Sequence, residues 1–242
     1  MHVHLPKPLH GWREFVGEIA IIVIGILIAL GGDQLVEELH WRHKTGEALA
    51  AMRQEIASDY TQAAEAAIVA PCVDRQLVDL EAAIAKPGFV AVPLYKPTAF
   101  PAFVVRSPSR LWVDAAWRAA ISDATVSHLP PDLRAGLAIF YMQIGTMETN
   151  ARQSDVLVWR LRALSLPGTP DSRARAIETI EELRGHMDLM ALVGNQLMGN
   201  ADSVDMRPAA TDIDLLNKAS GTIKFCREHG IVLGKAAPMT PT

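Results

Sequence analysis

Cysteine and clustered positive charge are both scarce in this chain. Its 242 residues include only two cysteines, Cys72 and Cys226, and these form no C-x-x-C pair. The formal net charge is −4, and the lysines and arginines are not clustered. A protein that binds nucleic acid usually carries a basic patch, so no nucleic acid is expected as a partner.

Catalytic sequence motifs are missing as well. The chain has no G-x-S-x-G, H-E-x-x-H or G-x-G-x-x-G sequence. The sequence therefore identifies no catalytic residue and no cofactor. An enzyme with an unrecognised site stays open as an alternative, and it would require a cleft in which His128 or His186 meets acidic groups.

The chain does have one long apolar block near its N-terminus. Residues 15–36 contain two charged side chains, Glu18 and Asp33, both near the ends of the block. A helix of this length is about 33 Å long and matches the ~30 Å hydrocarbon layer of a bilayer. The sequence predicts a transmembrane helix over residues 15–36. Two alternatives stay open: a signal peptide cleaved near Ala29, and an apolar helix buried in a soluble core.

The charges that flank the block predict its orientation. Lys7 and Arg13 precede it with only Glu14 opposing them, whereas Asp33 at its far end is followed by two glutamates before Arg42. Because cytoplasmic flanks are enriched in lysine and arginine, residues 1–14 are predicted to be a cytoplasmic tail. The expected location is the bacterial inner membrane, with the lipid bilayer as a partner and the body of the protein in the periplasm.

Small residues in the block suggest a second partner. Gly17, Gly25 and Ala29 fall on one face of a helix, and Gly25-x-x-x-Ala29 is a spacing that lets two membrane helices approach closely. A homodimer through this face is one hypothesis. The alternative is that glycine is simply common in membrane helices.

The rest of the sequence predicts an all-α fold. Apolar residues recur at three- and four-residue steps after the block, so the membrane helix is expected to continue into a long amphipathic helix. Pro71 is expected to interrupt it, and a second helix is expected to end near Ala85. Further helices are predicted over residues 109–120, 130–164, from Pro170 to a polar loop at 199–210, and over about 215–227.

A proline-rich segment separates the helices in the first half of the chain. Residues 87–109 interleave five prolines with aromatic and β-branched residues, which is typical of an extended segment laid against helices. The sequence predicts a helical extracytoplasmic domain over residues 37–235, packed as a bundle. Residues 236–242 are predicted to be a flexible tail.

The string from Val16 to Leu30, VGEIAIIVIGILIAL, is followed by a long charged helix. This arrangement resembles a family of uncharacterised bacterial proteins with one N-terminal membrane helix and a helical extracytoplasmic domain. The resemblance is carried by residues 11–60 and, more weakly, by residues 117–141. It implies the membrane topology and the helical body, and it implies no catalytic residue.

The two cysteines allow two interpretations. In an oxidising periplasm a disulfide between Cys72 and Cys226 is plausible. The alternative is a pair of small buried residues that never meet. Both stay open, because the sequence does not give the distance between the two Cα atoms.

One histidine pair has the spacing of metal ligands. His40 and His43 lie at i, i+3, with Glu37 one turn earlier, so three ligands could share a helix face. A lone H-x-x-H is a weak signature, so solvated histidines are the favoured interpretation and no metal site is predicted.

Three functional hypotheses follow from these features. The first is a non-enzymatic interaction or scaffold module that docks an unknown envelope protein. The second is a small-molecule-sensing bundle, which would signal through a membrane partner. The third is the enzyme with an unrecognised site. The missing motifs favour the first.

Overall fold

The structure, a computed structural model, describes residues 11–86, 104–163 and 170–239. Within these ranges it contains only helices and irregular segments, so the prediction of an all-α fold is confirmed. The first part of the proline-rich segment, residues 87–103, lies outside the described residues. The helices are α1 (Trp12–Ile84), α2 (Ala115–Ser122), α3 (Pro131–Ala163), α4 (Pro170–Ser203), α5 (Ala210–Ala219) and α6 (Gly221–Glu228), with a 3₁₀ helix at Thr125–His128.

The chain divides into two units, Met1–Glu47 and Ala48–Thr242. In the first unit, every large apolar side chain from Phe15 to Leu39 is exposed. Among the described residues, α1 is the one helix that is long and apolar enough to cross a membrane.

The second unit has its own core, built mainly from α1, α3 and α4. Asn200 of α4 donates a hydrogen bond to Gln143 of α3, and His186 of α4 donates one to Asn150 of α3, so α3 and α4 are antiparallel. The largest fully buried side chains are Met52, Ile56, Leu77, Leu80, Leu137, Phe140, Ile144, Met147, Ile180, Leu183, Leu197 and Met198.

Helix α1 is continuous through Pro71, so the predicted interruption there is wrong. Proline removes one backbone donor and leaves the carbonyl of Ala67 without its helical partner. The apolar face of α1 is buried on both sides of this point, at Val69 and Val73. Packing of that face stabilises the helix more than the missing hydrogen bond destabilises it.

Three other boundaries differ from the predictions, and one of them is the end of α4, which continues to Ser203 inside the loop predicted at 199–210. The helix expected from residue 109 begins at Ala115, because the backbone before it is bonded to side chains of α1. The last predicted helix is two helices, α5 and α6, which meet at Ser220. The Ser220 hydroxyl accepts a hydrogen bond from the backbone N–H of Ile223 at 3.0 Å and caps α6. The starts expected for α3 and α4, at their prolines, are confirmed.

The disulfide and the C-terminal segment fasten the end of the chain to the bundle. Cys72 of α1 and Cys226 of α6 are bonded, with their sulfurs 2.02 Å apart and their Cα atoms 6.1 Å apart. After α6, residues 231–239 run back along the bundle. Ala237 and Met239, in the segment that the sequence assigns to a flexible tail, donate backbone hydrogen bonds to Asn195 of α4.

Candidate functional site

A row of polar side chains on α1 holds the non-helical segment 104–114 against the bundle. Irregular backbone cannot satisfy its own hydrogen-bonding groups, so side chains or water must do so. Here α1 supplies most of the partners. We call this row the polar strip, and its members are Glu55, Asp59, Glu65 and Gln76.

Each end of the polar strip forms two hydrogen bonds with groups outside α1. Gln76 accepts from the backbone N–H of Arg106 at 2.7 Å and donates to its carbonyl at 3.1 Å. At the other end, Glu55 accepts from the backbone N–H of Ala116 at 2.8 Å and from the Tyr141 hydroxyl at 3.1 Å. Residue numbers fall along α1 as they rise along the segment, so the two run antiparallel.

Glu65 is the most enclosed charge of the strip. Its side chain is 0% exposed, and it pairs with Arg110 through Nε at 2.6 Å and a terminal guanidinium nitrogen at 3.0 Å. The Ser220 hydroxyl donates to the same carboxylate. A buried carboxylate is stable only with such partners, so Glu65 ties the segment and the start of α6 to one point of α1.

Asp59 is equally buried but poorly bonded. The backbone N–H of Val113 approaches its Oδ1 at 3.4 Å, and its Oδ2 has no hydrogen-bond partner among the described residues. Burial raises the pKa of Asp59 to about 7, and the charges of Glu55 and Asp114 act in the same direction. The hydrogen bond from Val113 opposes this shift in pKa.

A cavity of about 400 Å³ lies beside the polar strip. Its walls are the segment from Val105 to Arg110, the C-terminal half of α3, and the junction of α5 and α6. Arg106 and Asp155 contribute the charges that are not committed to the strip, and Trp159 contributes an aromatic surface that is 54% exposed. Pockets of this size and composition commonly hold small molecules.

Asp155 receives one hydrogen bond, from the Ser109 hydroxyl at 3.1 Å. Burial raises the pKa of this carboxyl, and the bond from Ser109 partly opposes that shift. The cavity therefore has a partly buried carboxylate on the α3 side and a guanidinium on the side of the irregular segment.

Comparison of the chain with protein-family models, with curated proteins and with solved structures finds no match. The geometry of the described residues is therefore the basis for any functional assignment.

The histidines considered as metal ligands contact other groups. The His40 ring lies against Trp41, and Glu37 accepts a hydrogen bond from the Trp41 indole at 3.4 Å. His43 Nε2 lies 3.2 Å from Glu47. No group of three metal-ligating side chains occurs within the ranges that the structure describes.

The two histidines considered for catalysis lie on different elements, His186 on α4 and His128 on the 3₁₀ helix. His186 contacts Asn150 at 2.8 Å between α4 and α3. His128 is exposed at the end of the 3₁₀ helix. Among the small residues, Gly17 and Gly25 have no neighbouring atom within 4 Å of the position that a Cβ would occupy, so this face of α1 is open.

The polar strip was missed by sequence reasoning. A signal was available, because Asp59 immediately precedes the core residue Tyr60 and follows Glu55 by one turn. Carboxylates at that spacing share a helix face. Periodicity did not reveal that an irregular segment would cover that face.

Proposed function

We propose that this chain is a single-pass inner-membrane protein whose helical body lies in the periplasm and acts as a non-enzymatic interaction or scaffold module. The observation that carries the proposal is the exposed apolar stretch of α1 from Phe15 to Leu39. A continuous apolar surface of that length is unfavourable in water and favourable in a lipid layer. The flanking charges support a cytoplasmic N-terminus.

The disulfide supports a body outside the cytoplasm. Cys72 and Cys226 are both 0% exposed, and structural disulfides persist in oxidising compartments. An interaction role is supported by how the buried ionisable groups are used. Glu55 accepts from the start of α2, and Glu65 holds the irregular segment and α6 in place, which is a structural task.

Reporter fusions test the membrane topology. Alkaline phosphatase joined after residue 242 is expected to be active in the membrane fraction, whereas a fluorescent protein that matures only in the cytoplasm is expected to stay dark. Phosphatase activity in the soluble fraction would show cleavage of the N-terminal helix. Cytoplasmic fluorescence would overturn the orientation.

A paired substitution tests the anchor itself. Two lysines in the apolar block, Ile22→Lys with Ile26→Lys, are expected to abolish membrane attachment, because each charge near the centre of a span costs about 3 kcal/mol. The control is Leu111→Lys, at a body position that is 84% exposed, which is expected to leave attachment unchanged. Equal fractionation of the two proteins would contradict the anchor.

In-cell photocrosslinking tests the interaction role. A photoreactive residue is scanned over exposed positions of the body such as Ile139 and Met142 of α3, with the buried Phe140 as the control. Discrete adducts from a contiguous set of exposed positions are expected. A scan in which no exposed position gives an adduct beyond that of Phe140 would overturn an interaction role.

One observation favours a second candidate function, small-molecule sensing. The cavity beside the polar strip carries two opposite charges, Arg106 and Asp155, together with the exposed ring of Trp159. Helical bundles hold ligands in such spaces between helices. A sensing domain of this kind would pass its signal to a separate membrane partner.

A further inference from the structure

Arg106 has no counter-charge among the described residues. Its backbone N–H donates to Gln76 and its carbonyl accepts from Gln76, and its side chain passes over Gly221. A Cβ added to Gly221 would lie 2.8 Å from a guanidinium nitrogen of Arg106, so the guanidinium lies close over the start of α6. The guanidinium forms no ion pair with a carboxylate in the described ranges, although the side chain is partly buried. Enclosed charges in proteins are normally paired.

The second cation of the cavity is already committed. Arg110 directs Nε and one terminal nitrogen to Glu65, which is fully buried beneath it. That pair is neutral as a unit. Arg106 is therefore the cation that a ligand in the cavity would meet without displacing a protein partner.

Asp155 is the complementary group on the α3 wall. It accepts from Ser109 and has no lysine or arginine within 4 Å among the described residues. Partial burial raises the pKa of Asp155, which agrees with a carboxylate that has no cation beside it among the described residues. A ligand with a positive group would supply that cation.

Arg106 and Asp155 line one cavity, but no ion pair joins them. The space of about 400 Å³ suits a small metabolite rather than a peptide or a nucleotide-sized cofactor. The half-exposed ring of Trp159 and the side chain of Val158 add apolar surface to the same wall as Asp155. The lining thus offers one site for an anion, one for a cation and one for an apolar group.

We propose that this cavity binds a small zwitterion of the amino-acid class. The carboxylate of the ligand pairs with Arg106, and its ammonium pairs with Asp155 beside Ser109. The apolar side group of the ligand lies on Trp159. This inference rests on the small-molecule-sensing alternative and is independent of the interaction role. To the sensing alternative, the inference adds the chemical class of the ligand and the residues that recognise the ligand.

Calorimetric titration of the full-length protein in detergent micelles tests the proposal. The probes are the twenty common amino acids, together with two analogues of phenylalanine that each lack one charge: 3-phenylpropanoate, without the ammonium, and phenethylamine, without the carboxylate. At least one amino acid is expected to bind saturably. Where phenylalanine binds, each analogue is expected to bind at least ten-fold more weakly, because one charged wall of the cavity then stays unpaired.

Substitutions assign the two charges. Arg106→Gln and Asp155→Asn are each expected to weaken binding of the amino acid at least ten-fold, and Arg106→Lys is expected to restore part of it. Asp155→Asn is expected to leave the affinity for 3-phenylpropanoate unchanged, because that analogue has no ammonium. If Asp155 had only a structural role, the substitution would weaken binding of both compounds. Arg152→Gln on the exposed face of α3 and Asp188→Asn on α4 are matched controls and are expected to change nothing.

Three outcomes would overturn the proposal. One is the absence of saturable binding by any amino acid to the native protein. Another is equal affinity for phenylalanine and its two analogues, since the cavity would then not recognise the charges of the ligand. The third is unchanged affinity in a folded Arg106→Gln protein. Membrane fractionation of the same protein measures membrane attachment separately. A negative binding result therefore does not contradict the proposed topology.

Discussion

Pro71 of α1 and Gly234 of the C-terminal segment lie in contact where the helix lacks a backbone donor. The backbone N–H of Gly234 donates to the carbonyl of Ile68 at 2.8 Å. A Cβ on Gly234 would lie 2.9 Å from the carbonyl oxygen of Ala67 and 3.2 Å from the Pro71 ring. Only glycine allows the segment this close approach, so the proline in α1 has become a docking point for the end of the chain.

Gly234→Ala is expected to destabilise the protein by about 1–3 kcal/mol, because the new methyl group must push backbone away from backbone. The matched control is Gly145→Ala in α3, where no atom lies within 4 Å of the added Cβ. That control is expected to stabilise the protein by about 0.5–1 kcal/mol through helix propensity. Urea unfolding followed by circular dichroism measures both. Equal effects of the two substitutions would show that the segment does not dock at Pro71.

Reduction of the disulfide is expected to lower the free energy of unfolding by about 2–5 kcal/mol. Cys72 and Cys226 are 154 positions apart, so the bond constrains a long loop of the unfolded chain. Unfolding is compared with and without a reductant, and the double substitution Cys72→Ala with Cys226→Ala is expected to be insensitive to the reductant. Identical unfolding midpoints for the native protein in both conditions would contradict the bond.

The stability of the protein is expected to fall as the pH rises toward neutrality because of Asp59. Its pKa is raised from 3.8 to about 7 by burial, so the folded state holds this proton more tightly than the unfolded state. The stabilisation is fully present below a pH of about 3.8 and is lost as the pH rises through about 7.

Asp59→Asn is therefore expected to be more stable than the native protein at a pH of about 8, by roughly 1–4 kcal/mol. The difference is expected to shrink as the pH falls. Asp188→Asn, at an exposed position of α4, serves as the control. Chemical unfolding across this pH range decides the point, and parallel curves for the native protein and Asp59→Asn would rule out Asp59 as the source.

Removal of Arg110 is expected to be among the most damaging single changes outside the apolar core. Arg110→Met leaves the carboxylate of Glu65 buried with Ser220 as its remaining side-chain partner. Loss of one member of such a pair typically costs about 3–5 kcal/mol. The control is Arg118→Met, which breaks a surface pair with Asp114 and is expected to cost less than about 1 kcal/mol. Similar losses for both arginines would show that Glu65 is solvated.

The starts of helices were predictable from the sequence where a residue at the start itself favours that position. Pro131 and Pro170 both stand at the first position of a helix, because proline has no N–H to leave unsatisfied there. Pro71 misled the same reasoning, since the local cost of proline is a few kcal/mol and tertiary packing can exceed it. At the missed division between α5 and α6, the Ser220 hydroxyl accepts a hydrogen bond from Ile223 and also donates one to Glu65, a residue far away in sequence.

The candidate site was less predictable than the fold. Periodicity identifies which residues share a face of a helix, but it does not identify what covers that face. The polar strip is bonded to segment 104–114, which is distant from it in sequence. The charges of the cavity come from Arg106 and Asp155, which are also remote from each other in sequence. No local pattern links those residues.

The sequence by itself determined that the chain is helical and that one block near its N-terminus is far more apolar than the rest of the chain, because both properties depend on residues close together in the chain. Only the tertiary structure decided that α1 continues through Pro71, that Cys72 meets Cys226, and that two opposite charges face one cavity. Those features depend on contacts between distant residues, whose geometry is set by packing of the whole second unit rather than by any local preference.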